Sequence, residues 1–177
     1  NPSSHHRSVM QLLPLSLQLM WQPVDINKML SFLVHPVNMI PAFACRILAK
    51  TVAAFPGSGS DAWNEDIQSI KDQAKIFGKP EEEINTIIER IDDWLCNITY
   101  DTEQGAPIVV VENKVEKISK FLQAHISSVS QRLSDDTLEQ QERQLLEATQ
   151  SLNHIALMHC TELSELLSAL KENGEES

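Results

Sequence analysis

Three side chains able to do chemistry crowd into one short segment: His154, His159 and Cys160. With Cys96 brought in from elsewhere, they would make a donor set of the kind that holds zinc. On a helix, such ligands stand three or four residues apart on one face. His154 and His159 are five apart, roughly 140° round a helix, and Cys160 adjoins His159, so the spacing argues against a metal. A second chemistry, nucleophilic attack by Cys160, would need a histidine across the fold and an oxyanion donor. His125 could serve only if the fold carried it there. The run Glu81-Glu82-Glu83 offers carboxylates, yet it directly follows Pro80, where acids suit the positive end of a helix dipole. The sequence has no phosphate-cradling glycine loop and no Walker-type lysine. The expectation is a non-enzymatic chain with no catalytic, cofactor-binding or metal-binding residues, and no cofactor.

Cys45, Cys96 and Cys160 are the only cysteines, far apart and without CxxC spacing. Three thiols cannot all pair within one chain, which reads as reduced cysteines in a reducing compartment. Asn97-Ile98-Thr99 fits a glycosylation sequon, a triplet common by chance that matters only in a secreted protein.

The elements that would position these residues are helices. Trp63, Ile67, Ile70, Ala74 and Phe77 follow a 4, 3, 4, 3 spacing, with Ser60 or Asp61 to cap the start and Gly78 with Pro80 to stop it. A second helix opens at Pro80 and turns Ile84, Ile87, Ile88, Ile91, Leu95 and Ile98 inward. Tyr100 to Pro107 reads as a loop. A third helix covers about Val110 to Leu133, with Val111, Val115, Ile118, Leu122, Ile126, Val129 and Leu133 facing in; the β-branched run Ile108 to Val111 is absorbed into its start. Ser134-Asp135-Asp136 breaks it and caps a fourth, about Thr137 to Lys171. There the alternation of 4 and 3 selects Leu138, Glu142, Leu145, Thr149, Leu152, Ala156, His159, Leu163, Leu166 and Leu170 as a seven-residue, coiled-coil-like repeat. A neighbouring row, Leu146, Leu157, Cys160 and Leu167, widens that face. Short connections make such helices antiparallel neighbours. The expected fold is all-α: an antiparallel helical bundle of about four helices.

Composition divides the chain near residue 57. Residues 1–56 hold four bases against the single acid Asp25, six of the eight prolines and four of the five methionines. Residues 57–177 hold ten bases, 24 acids and every glycine. The expected organisation is a weakly structured or short-helical leader (1–56), a Gly/Ser linker (57–60) and an acidic helical domain (61–177). Within the leader, Val24–Val34 and Ala42–Phe55 read as short helices. Because the first residue is Asn1, the chain is expected to be a fragment, a processed product or an incomplete translation. Met10 to Trp21 is apolar, but its flanks lack the charge and cleavage site of a signal peptide. Met29 to Phe55 is interrupted by His35, Pro36, Asn38, Pro41, Arg46 and Lys50 and is not expected to span a membrane.

The net charge of −11 disfavours nucleic acid, whose phosphates call for clustered cations, and equally an anionic membrane surface. Against that background, Gln150, Leu152, Cys160, Glu162, Leu163 and Ser164, within the segment Glu147 to Leu166, resemble a carboxyl-terminal helix of the "family with sequence similarity 114" proteins. Glu65-Asp66-Ile67, Lys79-Pro80-Glu81 and Trp94 are similar in order and spacing. The resemblance covers about residues 61–170. It implies a cytoplasmic, helix-rich protein, peripheral at Golgi-type membranes, with a small GTPase of the Rab class as partner and a role in neuronal development. That family defines no catalytic residues, so none carry over. Residues 1–56 match nothing in it, its Gly/Ser/Trp-bearing amino-terminal part is absent, and further helices are expected beyond Lys171.

Two functions follow as expectations. The first is a helical protein-interaction module that uses the wide apolar face of the fourth helix. The second is a lipid-surface protein, which the acidic balance disfavours because such helices carry Lys and Arg on their polar face.

Overall fold

The computed structural model describes residues 9–54, 60–96 and 98–175. Asn97 of the sequon, Phe55 and Pro56 at the end of the expected leader, and residues 57–59 of the expected linker lie outside the described residues. Among those described there are seven α-helices: α1 (Leu12–Gln18), α2 (Ile26–Leu33), α3 (Ala42–Ala54), α4 (Asp61–Ile76), α5 (Glu81–Leu95), α6 (Ile108–Leu133) and α7 (Gln140–Glu175). A 3-10 turn, Val9–Gln11, leads into α1. Two two-residue strands, β1 (Trp21–Gln22) and β2 (Tyr100–Asp101), pair in parallel. The all-α class is observed. No helix among the described residues is long and apolar enough to cross a membrane.

Contacts divide the chain elsewhere than composition does. One unit is residues 14–105; the other joins the amino-terminal stretch through Leu13 to residues 106–177. Of the four helices expected to form one bundle, α4 and α5 fall in the first unit and α6 and α7 in the second. The basic, proline-rich stretch is not set apart: α2 packs on α3, and α3 on α4.

In the unit of residues 14–105, local chemistry sets the helix ends. The Asp25 carboxylate accepts from the amides of Asn27 (2.9 Å) and Lys28 (3.3 Å), opening α2. Ser60 Oγ accepts from Trp63 N at 3.2 Å and opens α4. Gly78, at φ +74°, closes α4 in the left-handed conformation, with Gly78 N donating to Lys75 O and Lys79 N to Ala74 O. The three glutamates occupy the first turn of α5. The core gathers Phe32, Ile40, Leu48, Val52, Ile70, Ile84 and Ile91, all nearly or fully buried. Phe32 stacks on Trp94 with centroids 6.4 Å apart, and Arg90 donates to Met39 O at 3.2 Å. Ile98, expected inside, is 77% exposed. Phe77 is also exposed, resting edge-on against Phe43.

The other unit is built on an antiparallel hairpin of α6 and α7. Its direction is fixed by pairs of decreasing and increasing number: Arg143 to Leu133 O at 2.8 Å, Gln150 to Ile126 O at 2.9 Å, and Lys171 with Glu112 at 3.5 Å. Ile108 to Val111 does begin α6. Helix α7 starts at Gln140, later than expected, because the Asp135 carboxylate turns onto Thr137 N (2.9 Å) and Thr137 Oγ1 (2.6 Å) instead of capping a helix. The 3-10 turn packs on α7, burying Val9.

The inward face of α7 differs from the expected one. Leu146, Asn153, Cys160 and Leu167 are buried and recur every seven residues, with Ala156 beside them. The expected row containing Leu145, Leu152, His159 and Leu166 stands one position earlier, about 100° round the helix. Leu145, Leu166 and Leu170 are half exposed or more, and Leu152 and Leu163 are only partly buried. Leu146, Cys160 and Leu167 lie inside as expected, whereas the neighbouring row is left largely outside; the two rows share Thr149, Ala156 and Leu163 on one flank, which is why spacing alone drew the buried face too wide.

Candidate functional site

The residues first considered for chemistry are dispersed. Cys160 is fully buried on the seam of the hairpin. Burial raises its thiol pKa, and a hydrogen bond with Ser119 only partly opposes that, so it is a poor nucleophile and a poor metal ligand. His159 is exposed and pairs with Glu162 at 3.2 Å. His154 is exposed on the same helix. His125 lies on α6, stacked on Phe121 with centroids 6.1 Å apart, and no hydrogen bond joins it to Cys160. Burial lowers its pKa, which favours the neutral ring.

Cys96 follows α5 and is exposed, and Cys45 is buried in α3; none of the three cysteines is in a disulfide. Glu81, Glu82 and Glu83 are exposed, with Glu83 paired to Lys79. Among the described residues, no group of three His, Cys, Asp or Glu side chains is placed to hold a metal ion.

The surface that stands out is a row of apolar side chains on α7. Leu145 is 49% exposed, Leu166 57% and Leu170 50%, with Ile155 and Met158 farther round the helix also exposed. Beside them, the buried row is not wholly apolar, and neither is the exposed row, which His159 interrupts. Asn153 is fully buried, and its carbonyl oxygen has no hydrogen-bond partner among the described residues; its amide reaches Gln150 Oε1 only at 3.4 Å. A helix that buries an asparagine and exposes leucines has apolar surface left over for something else. Sequence reasoning named Leu145, Leu152, Leu166 and Leu170 but placed them in the core. The length of the repeat and the burial of Leu146, Cys160 and Leu167 were visible; the exposure of the neighbouring row was not.

Comparison with protein-family models, curated proteins and solved structures gave no match. The resemblance described above therefore rests on the residues of 61–170 alone.

Proposed function

We propose that this chain is a non-enzymatic helical interaction module that binds a protein partner along the exposed row of α7. One observation carries the reading: Leu145, Leu166 and Leu170 are solvent-facing on a helix that buries Asn153, whose carbonyl oxygen has no partner among the described residues. An amphipathic helix from a partner, laid on that row, would bury Leu145 and Leu166, three heptads apart, with Leu170 one turn beyond. The partner class implied by the resemblance is a membrane-bound small GTPase of the Rab class, which would place the chain in the cytoplasm and peripherally at the Golgi. A lipid surface is the weaker occupant. The polar side of α7 carries Glu142, Glu147, Glu162 and Glu165 against few bases, and anionic membranes repel such a face.

The test is a pull-down with Rab proteins locked in the GTP and GDP states. Enrichment confined to the GTP state, and lost in Leu166→Glu, supports the reading. Enrichment that survives Leu145→Glu and Leu166→Glu together moves the binding surface elsewhere, and flotation with liposomes in place of capture would favour the lipid occupant.

A further inference from the structure

An open cleft of about 690 Å³ lies in the unit of residues 14–105, between the end of α2, the α2–α3 loop and the outer side of α3. Its size is that of a small-molecule site, roughly 300–1,000 Å³. Its lining joins two kinds of surface. Val34, Pro36, Phe43 and Ile47 are apolar, and Val34 is 70% exposed. Arg46 and Lys50 stand one helical turn apart on α3 and are both solvent-exposed. Among the described residues neither has a hydrogen-bond or ion-pair partner, whereas most cations of residues 61–175 do. None of the described residues lining the cleft is acidic, in a chain of net charge −11. The first residues of α3, Ala42 and Phe43, also line it and add the positive end of a helix dipole.

We infer that this cleft binds an anionic amphiphile, with Arg46 and Lys50 holding a carboxylate or phosphate head and the apolar wall taking an alkyl chain. Two unpaired cations lose little solvation at a half-open lip, so the head group gains charge-assisted bonds without a buried charge left behind. A small ligand matches a cleft of this volume, lined in part by the α2–α3 loop.

The experiment is calorimetric titration of the whole chain with monomeric dodecyl phosphate and dodecanoate, beside dodecanol and dodecyltrimethylammonium. Saturable binding of the two anions alone is expected, at least tenfold weaker in the Arg46→Gln/Lys50→Gln variant, whose helical circular dichroism should be unchanged because both side chains are exposed. Flotation with phosphatidylserine vesicles that this variant abolishes would identify the head group as one drawn from a membrane; binding of monomers without flotation would identify a soluble amphiphile. Equal binding of dodecanol or of the cation, or no loss in the double variant, overturns the inference. Should the double variant fold poorly, the comparison of head groups on the natural chain still decides.

Discussion

Asn153 sits where the α6–α7 seam would accept a leucine, fully buried and with a carbonyl oxygen that no described residue meets. An unpaired buried amide costs about 1–3 kcal/mol, so Asn153→Leu should raise the urea midpoint, and an unchanged or lower midpoint would show that the amide is satisfied in solution. The seam would then be less particular about register, since a single polar residue on such a row discriminates between alignments. Cys45 makes a different statement. Burial pushes its thiol up to about 12 from an ordinary value near 9, with its sulfur donating to Ile40 O at 3.5 Å. The folded chain thus holds the proton more tightly than the unfolded one. Its contribution to stability is complete below about pH 9 and declines as pH rises from 9 towards 12. Urea midpoints at about pH 8 and about pH 10 should differ less in Cys45→Ala than in the natural chain, whatever that variant costs at neutral pH. Residue types placed Cys160 on a leucine-rich stripe of the fourth helix, and it is buried there. They could not show that Asn153, an unremarked polar residue, would be buried.

At the scale of elements, helix positions were legible because capping and breaking residues act locally. Ser60, Gly78 and Pro80 each stand at the end they were expected to mark. The inward faces of α4, α5 and α6 were legible too, because each has one apolar row. Helix α7 has two, and local spacing carries no information about which of them a partner helix meets. Alanine substitutions separate the rows. Leu146→Ala and Leu167→Ala should cost about 2–5 kcal/mol, while Leu145→Ala and Leu166→Ala should stay within about 0.5 kcal/mol. Chemical denaturation of the four variants gives the answer, and equal losses in both rows would mean that the exposed row is covered within a single chain. Leu152 and Leu163, expected in the core, are partly buried and should fall between these limits.

For the whole molecule, composition was a poor guide to organisation. The shift in charge and proline use at residue 57 is real, but α3 packs on α4 across it, and Arg90 of α5 holds the Met39 carbonyl. A chain beginning at Asp61 is therefore expected to lose helical signal and melt below the full chain, because it exposes Ile70, Ala74 and Trp94. Equal melting temperatures would instead vindicate the compositional boundary. Such pairings are invisible in sequence because they join residues far apart in the chain. The two short strands are the extreme case: Tyr100 N donates to Met20 O at 2.8 Å, and Gln22 Nε2 to Thr99 Oγ1 at 2.7 Å. Closing so large a loop loses chain entropy that no local element recovers, whereas the α6–α7 hairpin assembles from neighbours. The clasp should therefore form late and open early, and the single Tyr100 amide should exchange with deuterium before the amides inside α4 and α5, a clock for the loosening of this closure ahead of the helices it encloses.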